Sequence, residues 1–117
     1  IRKAENLNYN QLIKSCDIGL SSVVLKKDLI DHDTKFAKLK TKEDFVLWLK
    51  ITKKGIDIYG LDEILLTWRR VENSLSSSTI RKLADGFYVY NKYLKFNILK
   101  SFYYLMILSI NYISKNL

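Results

Sequence analysis

Hydrophobic and polar positions divide the chain unevenly. Asn6 to Ser15 is polar and weakly patterned and predicts no element. The run Ile18-Gly19-Leu20-Ser21-Ser22-Val23-Val24-Leu25, ended by Lys26-Lys27-Asp28, predicts a short buried strand. Between Asp28 and Lys40 only Leu29, Ile30, Phe36 and Leu39 can anchor the chain, which predicts one helical turn and then a loop. Thr41-Lys42-Glu43-Asp44 opens the best-marked helix. Thr41 can cap it, a carboxylate follows three residues later, and Phe45, Trp48, Leu49 and Ile51 form its apolar face. Lys53-Lys54-Gly55 closes it, with cations in the last turn and glycine just beyond.

Ile56 to Tyr59 alternates as a half-buried strand, Gly60-Leu61-Asp62 turns, and Glu63 to Arg70 predicts a second strand through Ile64-Leu65-Leu66-Thr67-Trp68. A strand, a helix and two strands imply an α/β layer. After the polar Asn73 to Ser78 loop, Ile80, Leu83, Ala84, Phe87 and Leu94 recur at helical spacing, with Arg81, Asp85, Tyr88, Lys92 and Lys95 on another face. Phe96 to Ile113 is more apolar, yet Asn97, Lys100, Ser101, Ser109 and Asn111 interrupt it. A bilayer span needs about 20 mostly apolar residues, so this reads as an interfacial or partner-packed helix. The pattern divides the chain into residues 1–78 and a helical pair over 79–117.

Charge sharpens that division. The 117 residues carry a net charge of +8 with 48% hydrophobic content, which excludes a disordered chain. Residues 79–117 hold six Lys/Arg against one acid, Asp85, interleaved with nine Phe and Tyr side chains. Basic and aromatic residues together suit an anionic membrane surface or nucleic acid; no nucleic-acid reader motif is present, so nucleic acid is not expected. A solvated basic face over a helical core explains the same composition. The single Cys16 and single His32 exclude a disulfide scaffold and a zinc finger. Cys16 reads as a small apolar residue and His32, between Asp31 and Asp33, as a surface side chain. The chain opens on Ile1 without a secretory segment, and reads as a piece of a longer protein working in the cytoplasm or on the inner face of the membrane.

Three pieces in fixed order carry more information than any one: the run Gly19 to Leu25, the start Lys42-Glu43-Asp44-Phe45-x-Leu47-Trp48-Leu49, and Trp68-Arg69-Arg70-Val71-Glu72-Asn73-Ser74-Leu75-Ser76-Ser77. Together they resemble the C-terminal, acceptor-side half of a bacterial family 2 glycosyltransferase, an inverting enzyme of the GT-A fold. The resemblance is close over about Tyr9 to Ser78 and looser beyond. It implies an α/β fold: a few strands with a capped amphipathic helix, followed by a C-terminal helical pair. In that family a Glu-Asp pair opens a helix with a leucine- and tryptophan-bearing face, matched by Glu43, Asp44, Leu47, Trp48 and Leu49, then a basic-Gly turn at Gly55 and a strand matched at Tyr59. The second acid is the catalytic base, so the resemblance implies that Asp44 deprotonates the acceptor hydroxyl. An aromatic-Arg-x-x-x-x-Ser pattern that reaches toward the donor's pyrophosphate is matched by Trp68, Arg69 and Ser74. Some members place a metal-binding histidine in that segment; Val71 stands there, against a metal-ligand role for it.

The chemistry asks for these residue types. Inverting transfer is an in-line displacement at the anomeric carbon, in which one carboxylate takes the acceptor proton while cations neutralise the departing nucleotide diphosphate. A first-turn position stabilises the Asp44 anion by roughly 0.3 to 1 kcal/mol, which lowers its basicity; desolvation or repulsion from Glu43 would offset that. Trp48, one turn beyond Asp44, can stack on a sugar with Glu43 nearby, and Arg69 and Arg70 suit phosphate oxygens. Structural readings stand beside these. Thr41-x-x-Asp44 is a capping box, Trp48 is core, Arg69-Arg70 is a solvated pair, and Asn73 to Ser78 is a polar turn.

The family's nucleotide-binding half, with its Asp-x-Asp motif for Mg2+ or Mn2+, is not in these residues. The resemblance therefore implies that the chain alone is inactive and binds no metal, and that nucleotide-sugar donor and glycan or lipid-linked acceptor meet in a longer enzyme of cell-surface polysaccharide synthesis. Strand edges left unpaired would drive self-association. The competing reading is a non-catalytic module that docks on anionic membrane, or on nucleic acid, through its basic aromatic tail.

Overall fold

A computed structural model describes residues 4–69, 71–73 and 78–116. Among the described residues four α-helices order the chain: α1 (Tyr9–Leu12), α2 (Glu43–Lys53), α3 (Thr79–Tyr88) and α4 (Ile98–Asn116), with a π-helical turn over Val89–Tyr93 between the last two. The core is built around α2. Phe45, Val46, Leu47, Trp48, Leu49, Ile51 and Thr52 are all buried, so the helix is apolar on nearly every side. Such a helix belongs in the middle of a fold rather than on its surface. Its end follows the expected chemistry: Gly55, at φ 87°, adopts the left-handed conformation that glycine enters without strain, and its N–H donates to the Thr52 carbonyl at 3.0 Å.

Tyr90, at the π turn, is the other centre of the core. Its ring meets Phe45 edge-on at 6.5 Å and stacks near Phe96 and Tyr104 at 6.4 and 5.5 Å. Its hydroxyl donates to the Ile13 carbonyl at 2.7 Å. One side chain thus joins the C-terminal helices, α2 and the segment after α1. That segment is anchored because α1 carries a complete capping box: the Gln11 N–H donates to Asn8 Oδ1 at 2.9 Å and the Asn8 N–H to Gln11 Oε1 at 3.0 Å. It sets Leu12 and Ile13 into the core.

The expected strands do not form among the described residues. At 18–25 the chain makes a 3-10 turn, Leu20–Ser22, in which the Ser22 hydroxyl donates to the Gly19 carbonyl at 2.8 Å. A serine that bonds its local backbone competes with a strand ladder, and Val24 is fully exposed. Ile56–Tyr59 contributes one antiparallel bridge, Leu7 to Ile58, with bonds of 2.8 and 2.9 Å. Beside it Gly60 is obligatory, because a Cβ there would sit 2.6 Å from the Glu5 backbone nitrogen. Residues 63–69 carry no regular structure and are exposed, and Arg70 lies outside the described residues. Apolar content makes a segment eligible for a sheet, but a neighbouring strand must supply the ladder, and here the neighbour is a single residue pair.

Helix α3 forms where expected but faces the other way. Ile80 is 82% exposed and Leu83 is exposed too, while Asp85 and Gly86 are buried. The reason is a contact that periodicity does not encode. Asp85 Oδ2 accepts from the Thr41 N–H at 2.9 Å and from its hydroxyl at 2.6 Å, and that turns the Asp85 side of α3 toward the core.

Candidate functional site

The Asp85–Thr41 link is also what sets the start of α2. Because Thr41 spends both donors on Asp85, it does not cap the helix. The N-cap is Lys42, held left-handed at φ 61° without a side-chain cap. The capping-box reading of Thr41 and Asp44 is therefore replaced by a tether from α3. Downstream of this turn Glu43 and Asp44 form the first residues of the helix, both half-buried. The Phe45 N–H donates to Asp44 Oδ1 at 2.8 Å, so the carboxylate satisfies one of the free donors at the helix start.

Burial raises the Asp44 carboxyl above the usual aspartate range, and repulsion from Glu43 adds to it. The Phe45 N–H and Lys42 act in the opposite sense and are outweighed. A half-buried carboxylate with raised basicity, next to a second acid, is a group that can take a proton from a hydroxyl brought against it.

Trp48 lies one turn further along but faces inward. It is 3% exposed, and its indole Nε1 is buried with no hydrogen-bond partner. Its surroundings include a shallow apolar groove of about 480 Å³, bounded by Leu20, Val23, Leu25, Ile30 and Phe36, with Lys35 at its edge. Neither Glu43 nor Asp44 lines this groove. Arg69 is exposed on the irregular 61–69 segment. Arg70 and Ser74 lie outside the described residues. The structure thus brings Glu43, Asp44 and the buried Trp48 together on α2, and among the described residues no hydrogen bond or ion pair joins Arg69 to them.

Asp31, His32 and Asp33 form the one group of possible metal ligands among the described residues. It is exposed, and Asp31 is engaged by Lys54 at 2.8 Å and by the Thr34 hydroxyl at 2.7 Å. The Lys54 hydrogen bond, followed by that of Thr34, holds the Asp31 carboxyl well below the usual range. His32 is on the surface as expected, 3.3 Å from Asp33, and Cys16 packs against the core. Sequence reasoning missed the roles of Thr41 and Asp85. The available signal was that Asp85 is the one acid between Asn73 and the end of the chain, set beside the glycine of α3.

Comparison with known proteins adds what geometry cannot. The chain is similar to enzymes that transfer sugars. It is 28% identical over 101 residues to TuaG of Bacillus subtilis, assigned to teichuronic acid biosynthesis as a glycosyltransferase, a match over 86% of this chain and 40% of that protein. It is 32% identical over 103 residues to WfgD of Escherichia coli, a UDP-Glc:alpha-D-GlcNAc-diphosphoundecaprenol beta-1,3-glucosyltransferase, across 87% of this chain and 40% of that one. A second Escherichia coli enzyme of the same description, WfaP, is 30% identical over 77 residues, 66% of this chain and 30% of its own length. The chain spans about 40% of the length of the first two of these relatives. No protein-family model and no solved structure matches it. The resemblance to bacterial glycosyltransferases is thereby borne out: the chain is similar over most of its length to part of such enzymes, an extent of match that fits their C-terminal part.

Proposed function

We propose that this chain is the acceptor-side portion of an inverting, family 2, GT-A-type glycosyltransferase that moves a sugar from a nucleotide-sugar donor to a lipid-linked acceptor in cell-surface polysaccharide synthesis. The observation that carries the reading is similarity to three glycosyltransferases across a segment whose Glu-Asp pair opens the central helix, with the second carboxylate half-buried and of raised basicity. In this reading Asp44 takes the acceptor proton as the hydroxyl attacks the anomeric carbon. Glu43 raises its proton affinity and contacts the acceptor. Trp48, buried on the core side of α2, supports the acidic pair and does not touch the acceptor, and Arg69, Arg70 and Ser74 meet the donor's phosphates. The name of WfgD supplies the working substrates, UDP-glucose and a GlcNAc-diphosphoundecaprenol.

The divalent metal that the fold family implies does not fit the described residues. Their one candidate cluster is exposed, and its Asp31 is already paired with Lys54.

The test is product formation by the full-length enzyme from UDP-glucose and a GlcNAc-diphospho-lipid, with the anomeric configuration of the product read by NMR. A β-linked glucoside from the α-linked donor supports the proposal. Transfer with retained α configuration, or hydrolysis of an unrelated bond in place of transfer, overturns it.

A further inference from the structure

Helix α4 has two apolar sides, and the core uses only one. Ser101 and Leu108 mark the buried side. At about 100° per residue, Ile98, Leu99, Phe102, Met106, Ile110 and Ile113 fall within an arc of about 120° on another side, and every one of them is exposed, Leu99 at 83% and Met106 at 63%. No charged residue interrupts that row. It continues through Phe102 into a second apolar groove of about 440 Å³ between α3 and α4, which also contains Leu83, Phe87 and Tyr88.

The exposed charge that these two helices themselves carry has one sign. Beyond Glu72 the chain has a single acid, Asp85, and that acid is buried against Thr41. The exposed charged side chains of the two helices and their connection are therefore cations. Two of them sit on aromatic rings: Lys82 Nζ lies 5.4 Å from the Tyr112 ring centre and Lys100 Nζ lies 4.1 Å from that of Phe96. Among the described residues no helix is long and apolar enough to cross a membrane. A helix with a continuous apolar row, tyrosines at its margins, a lysine of the neighbouring helix over one of them, and too little hydrophobicity to span, has the composition of one that lies in the plane of a lipid interface.

We infer that the outer face of α3 and α4 docks on an anionic lipid surface, with the Leu99–Phe102–Met106 row entering the boundary between headgroups and acyl chains and the lysines meeting the lipid phosphates. Charge selects this occupant. A second copy placed symmetrically on the same face would set like cations against each other, in a chain already at +8. Nucleic acid would meet the lysines but offers no apolar layer for the row. The inference does not depend on the transferase reading, because it concerns a different surface and is tested without sugar substrates.

The test is flotation of the chain with vesicles of phosphatidylcholine mixed with phosphatidylglycerol, and with phosphatidylcholine alone. The expected result is binding to the mixed vesicles that falls about tenfold or more on neutral vesicles and at high salt. Leu99→Ser with Met106→Ser should weaken it at least about tenfold at unchanged helical circular dichroism, and Lys82→Glu with Lys100→Glu should remove the preference for phosphatidylglycerol. Val24→Ser, at a fully exposed apolar position outside these two helices, should change nothing. Should the serine pair unfold, the glutamate pair alone decides. Absence of vesicle binding, or binding indifferent to the variants, overturns the inference. So does sedimentation showing a dimer that the serine pair dissociates, which would make a second copy the occupant.

Discussion

Removing the Thr41 hydroxyl tests the tether that sets the start of α2. In Thr41→Val the shape of the side chain is kept and the 2.6 Å bond to the buried Asp85 carboxylate is lost, while the 2.9 Å bond from the backbone N–H remains. A hydrogen bond to a charged group contributes about 1.5 to 3 kcal/mol, so the expected loss is about 2 kcal/mol. For a chain of this size each kcal/mol moves Tm by about 4 °C, giving a fall of about 8 °C in thermal unfolding followed at 222 nm. Asp85→Ala goes further, because it strands both Thr41 donors in a buried site, and about 3 kcal/mol is expected. The two substitutions share one interaction, so a double-mutant cycle should show coupling of about 1 to 2 kcal/mol. A Thr41→Val protein melting within about 2 °C of the parent, or strictly additive losses, would refute the reasoning and return Thr41 to an ordinary loop position.

Other consequences follow from the same contacts. Tyr90→Phe should cost about 1 kcal/mol through the unpaired Ile13 carbonyl, and Tyr90→Ala about 4 kcal/mol through the cavity left among Phe45, Phe96 and Tyr104, both measured by urea unfolding. The Asp44 carboxyl is raised in the folded chain, so the folded state holds that proton more tightly than the unfolded one. Asp44's contribution to stability therefore declines as pH rises from the ordinary aspartate range through the raised folded value. Asp44→Asn should remove that decline and melt no lower than the parent at neutral pH; a lower melting point would show that the carboxylate is there for the fold. The exposed run Leu61, Ile64, Leu65, Leu66 and Trp68 should drive self-association that Leu65→Ser with Trp68→Ser reverses in sedimentation velocity, and a monomer at all concentrations would refute this.

Periodicity revealed the helices and much less of what arranges them. Helix α2 was legible because its apolar positions, terminal lysines and Gly55 agree locally, and agreement among local signals is what specifies an element. The small α1 was legible in principle from Asn8 and Gln11, a capping pair hidden in a polar stretch. The strands at 18–25 and 63–69 do not form because those segments have strand composition without a ladder partner among the described residues, and pairing is a property of two segments. The facing of α3 was misread because a helical wheel treats Asp85 as a solvent residue, whereas two donors from a residue far away in sequence make its burial favourable. At the candidate site Glu43 and Asp44 were legible as a pair, and the structure adds the half-burial that raises the basicity of Asp44. It removes the picture of Trp48 as an open platform, since an indole on the most buried helix is held by the core.

The central claim is that one half-buried carboxylate performs the proton transfer, and a single-turnover measurement on the full-length enzyme reaches it most directly. With saturating nucleotide sugar and a lipid-linked acceptor, Asp44→Asn should slow transfer by about 10² to 10⁴-fold while donor affinity stays within a factor of about two. Transfer at near the parental rate in that variant would contradict the account.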